Sequence, residues 1–582
     1  MSNVFHPGIF LILCGIIAAI LPAKLRKLPL ILGPAISFFM LLKTPIGTTD
    51  TVVLLERFTL QYLNITQENY MFLFVFILIA LVGGIYAAHT GGKLETFCAL
   101  NYAGAGISVA LAADWLTMII FWEYMAVTSL CLVWCNRTPE STKAGFRYLI
   151  MHMLGGNLLL FGILMKLFEG QMAISCLTGQ YDLSFWLIFL GIAINAAVVP
   201  LHTWLPDAYP ESTITGGVYM SSFTTKVAIL SMLRVFSGEQ FLIVLGVIMM
   251  LYGAIFALME NNLRRVLSYH IISQLGFMVI DIGVGGQVGA NGATAHAFSH
   301  ILYKALLFMC AGAIIQATGL KKITELGGLA KKMPVTCVCF FIAALSITGV
   351  PPFAGFTGKS VSMLAAQSTG STLLEMLLLL GSIGTALSLL FKMGYFTFFG
   401  KDKGIKVNPI PKNMVVAMII GAGLCVLFGV APNLAYNMLP YPEHYHIYSL
   451  HHVLEYTQMI PAALLAFMLF LKKMGPHDTI TLDFDWFARK PFKKGFYAVS
   501  GFLAKAQAGY DGFGVKFQRK LGMASANPLK HAPVKPNPVK DPSATPDRFH
   551  EDAYRERIGS GMLAVFITII IIGVLIIVLN AF

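Results

Sequence analysis

Residues 346–356 read Ser346-Ile347-Thr348-Gly349-Val350-Pro351-Pro352-Phe353-Ala354-Gly355-Phe356, in the middle of an apolar run from 334 to 365. A regular helix cannot pass through them, because proline removes a backbone donor and clashes with the preceding turn. A second run, 183 to 202, ends the same way in Ala196-Ala197-Val198-Val199-Pro200-Leu201-His202-Thr203-Trp204-Leu205-Pro206. Irregular backbone at membrane depth is tolerated only where protein or a water-filled cavity surrounds it. The plainer alternative is an ordinary kink or, for the earlier run, a break at the membrane surface.

Hydrophobic residues make up 57% of the 582 positions and charged residues only 12%, against about one quarter charged in soluble domains. A soluble protein is excluded. Apolar runs long enough to cross a hydrocarbon core of about 30 Å recur about sixteen times. The expected spans are 7–22, 28–43, 69–88, 95–112, 114–134, 146–167, 183–202, 214–235, 240–259, 266–286, 291–315, 334–365, 374–397, 414–437, 456–471 and 560–581. The fold class is therefore an all-α polytopic membrane protein. The interrupted runs are the seventh and twelfth spans, and an offset of five inverts the second unit against the first. Two inverted five-helix repeats follow, spans 4–8 and 9–13, each with a broken helix, the arrangement in which transporters place an ion site near the midplane.

Short cytoplasmic loops should carry the lysines and arginines. The loops after spans 1, 3, 5, 9, 11 and 13 hold seventeen of them, whereas the opposite set holds only Lys43, Arg57, Lys166 and Arg234. The N-terminus is therefore expected outside the cell's inner (cytoplasmic) membrane, and 472–559 inside. The net charge of +13 belongs to those loops and does not point to nucleic acid. The nine cysteines are scattered and suggest neither disulfides nor a metal site. The first run ends in Leu21-Pro22-Ala23-Lys24 without a small-residue cleavage pattern and reads as a retained helix.

The expected divisions are 1–68 (two spans), 69–437 (the core), 438–475 (span 15), 476–559 (a cytoplasmic segment) and 560–582 (a last span). Within 476–559, Phe496, Val499, Leu503, Ala506 and Tyr510 recur at helical spacing with Lys494, Lys505 and Lys516 among them. That is a helix lying along the membrane face or a short soluble helix against neighbouring loops. Residues 527–546, rich in Pro and Lys, read as an extended linker.

Charged residues inside spans cost about 2.5–3.5 kcal/mol each, which makes them functional candidates. Glu123, Lys226, Lys304 and Lys359 are such residues. His296, His300 and Lys304 advance four positions at a time and so share one helical stripe. A static salt bridge would explain one Glu and one Lys; it does not explain a set of this size, and a proton relay does.

The runs Pro200 to Ala208, Arg264-Arg265-Val266-Leu267-Ser268-Tyr269 with Ser273-Gln274-Leu275-Gly276, His296 to Phe308, and Gly349 to Lys359 resemble the antiporter-like subunits shared by respiratory complex I (NADH:quinone oxidoreductase) and Mrp-type Na+/H+ antiporters, most nearly the Mrp D-type proteins. The resemblance covers about residues 70–435. It implies that Glu123, which follows Trp122, is linked to proton uptake and pairs with a lysine. It further implies that Lys226 is the lysine of span 8, that His296, His300 and Lys304 form the central hydrated axis, and that Lys359 is the terminal residue. One position departs from the pattern: where the family usually carries a lysine, five residues before the proline of span 7, this chain has Asn195. Either Lys226 takes over as the partner of Glu123, or this half does not pump. Pro200, His202, Pro351 and Pro352 are the expected hinge residues.

The expected activity is translocation of protons, with Na+ as an open alternative, by a subunit of a Mrp-type antiporter. The alternatives are a pumping subunit of a complex I-like or membrane hydrogenase complex and a non-transporting scaffold. No catalytic site, cofactor or metal of its own is expected, and no quinone site is indicated. The expected partners are other membrane subunits of a hetero-oligomeric complex and the lipid bilayer.

Overall fold

The computed structural model describes residues 5–54, 58–477, 482–487, 490–491 and 493–526. The expected span 560–581, the linker 527–546 and Arg57 lie outside them. Helices α1 (Pro7–Ile20), α2 (Lys27–Lys43), α3 (Gln67–Ala87), α4 (Lys93–Leu111), α5 (Trp115–Trp134) and α6 (Pro139–Phe168) come first. Most expected spans coincide with helices to within three residues. Polar caps set their starts: Thr66 and Asn69 form a capping box before α3, Thr138 and Ser141 before α6, and Asp114 caps α5. The caps also explain why α6 begins at Pro139, before its apolar stretch.

The seventh span is broken as expected: α7 (Leu183–Asn195) and α8 (Trp204–Ala208) flank an irregular turn. The eighth was expected to be continuous and is not. It consists of α9 (Ile214–Met220) and α10 (Thr224–Phe236), parted by a turn at Ser221-Ser222-Phe223. α11 (Phe241–Met259), α12 (Leu263–Val284) and α13 (Gly286–Thr318) follow. The twelfth span divides into α14 (Pro334–Thr348) and α15 (Ala354–Ser368), with Gly349 in the left-handed conformation ending α14. α16 (Thr372–Thr385) widens into π-helical turns over Ala386–Met393 and Tyr395–Phe399. α17 spans Lys412–Val430, and helices Leu450–Thr457 and Met459–Leu469 occupy the fifteenth span.

One element departs from the all-α expectation. Strands β1 (Thr49–Leu54) and β2 (Phe58–Asn64) pair antiparallel between α2 and α3, with a bulge between Asp50 and Val52. Val52, Val53 and Leu54 face Leu60, Thr59 and Phe58 across this hairpin, and β-branched and aromatic side chains favour such a surface.

Ten helices among the described residues are long and apolar enough to cross a membrane, and α1, α7 and α14 are shorter apolar helices. α12 and α13 are enclosed by the others almost all round, while α6, α11 and α17 keep a large part of their surface outward. α11 and α12 meet backbone to backbone at Gly246 and Gly276, and Gly253 lies against the backbone of Tyr269 and Ser273. Small residues at such contacts let membrane helices approach closely. The chain forms two compact units, the first ending at Asp485 and the second beginning at Trp486. The second contains a long helix, Lys493–Ala526, on which Phe496, Val499, Phe502 and Leu503 are exposed.

Candidate functional site

α13 is buried, and its stripe of His296, His300 and Lys304 points into the protein. The His296 ring stacks on Phe277 of α12, centroids 5.3 Å apart, and the His300 ring meets Tyr303 edge-on at 5.4 Å. Neither ring nitrogen of either histidine, nor Lys304 Nζ, has a hydrogen-bond partner among the described residues. Buried groups of this kind are ordinarily satisfied; a file of unsatisfied ones is what a water-threaded path requires.

The stripe continues at both ends. Lys226 lies within electrostatic range of both Lys304 and His300. His270 of α12 is within range of Lys304 and Lys359, and His296 is within range of Lys359. Hydroxyl and amide groups fill the gaps: Ser388, in the π-helical part after α16, lies 3.0 Å from His270 Nε2, Gln274 donates to Thr385 Oγ1 at 3.3 Å, and the Tyr303 hydroxyl donates to Gln274 at 3.4 Å.

The lysines sit where helix breaks free a carbonyl. Lys226 Nζ donates to the carbonyl of Ser221 at 2.5 Å, at the gap between α9 and α10, and to Thr225 Oγ1 at 3.1 Å. Lys359 Nζ donates to Ser382 Oγ at 3.0 Å and to the carbonyl of Thr348, the last residue of α14, at 3.5 Å. Its ammonium also lies 5.0 Å from the centre of the Phe277 ring, the ring that stacks on His296. The C-terminal end of a helix favours a cation, so each break holds its lysine without a carboxylate.

The first half is arranged differently. Glu123 packs its carboxylate on Gly156 of α6, and its Oε1 has no hydrogen-bond partner among the described residues. Among the described residues no ion pair joins it to Lys226. Asn195 ends α7, buried, and neither of its amide atoms has a hydrogen-bond partner among the described residues. Pro200 lies in the turn that follows, and His202 in the same turn is buried with Nε2 3.2 Å from Asp483 Oδ1. Pro351 and Pro352 form the turn between α14 and α15.

The central part of this arrangement, residues 112–388, matches the family model described as NADH:quinone oxidoreductase/Mrp antiporter, TM. A putative antiporter subunit mnhD2 of Staphylococcus saprophyticus is 31% identical over 353 residues, which are 56% of this chain and 70% of that protein. The chain belongs to this family of antiporter-like membrane subunits. Hydrogenase-4 component B of Escherichia coli is 28% identical over 356 residues, 54% of this chain and 53% of that one. A chain of respiratory complex I from Thermus thermophilus has the same fold, with a TM-score of 0.67 at 20% identity, covering 78% of this chain and 99% of that one. The antiporter-family fold is thus a multi-pass membrane fold seen in chains of multi-subunit complexes.

Sequence reasoning missed two charged residues inside antiporter-family spans. Asp281, near the end of α12, is fully buried; it accepts from Ser362 Oγ of α15 at 2.6 Å, while its Oδ1 is unpaired. Lys392 donates to the carbonyls of Leu258 at 2.5 Å and Glu260 at 2.8 Å, past the end of α11. Both carried the signal that singled out Glu123, a charge inside an apolar run.

Arg264 was read as a loop charge, yet it is buried and donates to the carbonyls of Pro210, Ser212 and Thr213 and to Ser212 Oγ at 2.8–3.0 Å. An unsatisfied buried polar group costs about 1–3 kcal/mol. Arg264→Ala is therefore expected to lower stability by about 3 kcal/mol, read as a fall in the thermal midpoint of the detergent-purified protein. An unchanged midpoint would mean that water replaces the guanidinium at no cost.

Proposed function

We propose that this chain is the proton-translocating subunit of a Mrp-type cation/proton antiporter, set in the cytoplasmic membrane with its N-terminus outside. The observation that carries the reading is the file of Lys226, His300, Lys304, His270, His296 and Lys359. Each member lies within electrostatic reach of at least one other, and His296, His300 and Lys304 have no hydrogen-bond partner among the described residues. Protons enter near Glu123 and Lys226, cross along the imidazoles and Lys304, and leave by Lys359 and the carboxylate of Asp281. Imidazole nitrogens accept on one side and donate on the other, so an unpaired ring relays a proton by changing tautomer. Repulsion between neighbouring lysines moves the charge onward, because two cations in one dry interior disfavour each other. A membrane potential contributes about 2.3 kcal/mol per charge per 100 mV, enough to bias such steps.

A second reading, a pumping subunit of a redox complex, is supported by the likeness to the hydrogenase component and to complex I. Purification in mild detergent followed by mass spectrometry of the accompanying subunits separates the two. Small hydrophobic companions support the antiporter; subunits with iron–sulfur or nickel sites overturn it in favour of the redox complex. In everted vesicles, Glu123→Gln is expected to lower the initial rate of proton movement about tenfold with assembly intact. A rate equal to wild type would remove Glu123 from the path.

A further inference from the structure

The turn between α7 and α8 is closed by a residue from far along the chain. Asp483 follows the helix Met459–Leu469, and its side chain is 2% exposed. Its Oδ1 lies 3.2 Å from His202 Nε2, accepts from the Tyr252 hydroxyl of α11 at 2.5 Å, and accepts from the backbone amide of Phe484 at 2.6 Å. Its Oδ2 accepts from the Tyr269 hydroxyl of α12 at 2.6 Å. The Phe484 ring closes over the rings of His202 and Tyr252, with centroids 6.3 and 6.0 Å away. The other charged groups near this cage are Arg265, 3.4 Å from Glu260, and Asp207, which accepts two bonds from Arg147.

A buried carboxylate at a hinge either carries protons or holds the hinge. Burial by itself would raise the Asp483 carboxyl, but His202 and the two phenol donors more than offset it and hold it at about 2. It is therefore an anion at neutral pH. A group that stays ionised relays nothing; it binds. His202 and the two phenols come from the turn, α11 and α12, so one carboxylate touches three elements.

We propose that Asp483 is a positioning residue that clamps the break between α7 and α8 in one conformation, fastening the polypeptide beyond the last apolar helix described to the interrupted helix. Its bearing on transport rests on the translocation reading above; the clamp itself does not. Trp486, where the second unit begins, follows three positions later.

The test uses the full chain in its native membrane, with Thr203→Cys as a reporter in the turn and maleimide modification of its peptide read by mass spectrometry. Asp483→Asn is expected to raise the labelling rate at least about threefold, since labelling tracks the population of opened turn. It is also expected to lower proton translocation about tenfold. Asp483→Glu keeps the charge and is expected to recover most of both properties. A role in packing alone predicts the reverse order, because Asn is the closer match in volume, and that order would overturn the proposal. His202→Gln combined with Asp483→Asn should be no worse than the worse single variant, as for residues acting as one unit; additive losses would count against the clamp. Should Asp483→Asn fail to assemble, Tyr252→Phe and Tyr269→Phe each remove one donor and are expected to give intermediate labelling. Labelling at the wild-type rate in Asp483→Asn, or in both Phe variants where those carry the test, sinks the proposal. Lys304→Ala in the same vesicles serves as the control: if it leaves translocation intact, the transport reading fails while the labelling still decides the clamp.

Discussion

Lys304→Ala is expected to reduce proton translocation about a hundredfold while leaving the assembled protein as stable as wild type. Lys304 stands at the centre of the file, within reach of Lys226, His300 and His270. Without it a proton must cross the centre of the file on imidazoles alone, with no lysine there to hold its charge. A charge at the bilayer centre costs about 2.5–3.5 kcal/mol, and about 1.4 kcal/mol is a factor of ten, which gives the hundredfold. Stability should not fall, because Lys304 Nζ has no partner among the described residues to orphan. Lys304→Arg is expected to be equally inactive, since guanidinium does not release its proton in proteins. The two variants together separate a need for charge from a need for exchange. Dye-quench assays in vesicles measure the rate, and a thermal scan measures stability. A Lys304→Ala protein that translocates normally would end the proposed path.

Gly355→Ala is expected to have the second large effect, on assembly. A Cβ at this position would be driven into the carbonyl oxygen of Ser346, across the turn that separates α14 from α15. Backbone cannot rotate away as a side chain can, so the two half-helices must part, and overpacking of this kind costs about 1–3 kcal/mol or more. Gly429→Ala should act alike, because its Cβ would meet the Pro352 carbonyl from α17. The control is Gly423→Ala on the same helix, where a Cβ meets nothing within 4 Å. It should be neutral, or stabilising by up to about 1 kcal/mol through helix propensity. The yield of intact complex on native gels reads all three, and equal yields would refute the argument from close packing.

The parts of the fold that announce themselves locally were legible in the sequence. Prolines at 200, 351 and 352 break helices whatever surrounds them, and both breaks are present. The spacing of His296, His300 and Lys304 fixes their common face, and they do share it. The parts set by distant partners were not legible. The gap in the eighth span has no proline, only Ser221-Ser222-Phe223, and it becomes intelligible once the Lys226 ammonium is seen on the freed carbonyl. Asp483 could be seen to open a change of composition, but its phenol partners lie 231 and 214 positions earlier in the chain, and no local spacing encodes them. The hairpin of β1 and β2 is too short to leave a membrane-span signal, so in the sequence it looks like a plain connection between α2 and α3. Asp281 and Lys392 were legible by the rule already in use, a charge within an apolar run, and were passed over near the ends of their spans.

The enclosure of α12 and α13 bears on how the protein is made. A helix carrying His270, Asp281 and two arginines at its start is poorly suited to bare lipid, yet a ribosome delivers it before α13 to α17 exist to cover it. α11 is already out, is among the most apolar helices of the chain, and meets α12 backbone to backbone across a connection of three residues, 260–262. Biosynthesis thus places a lipid-tolerant escort directly ahead of its polar passenger. The pair can leave the insertion machinery as one hairpin, with its polar side waiting for the helices still to be translated.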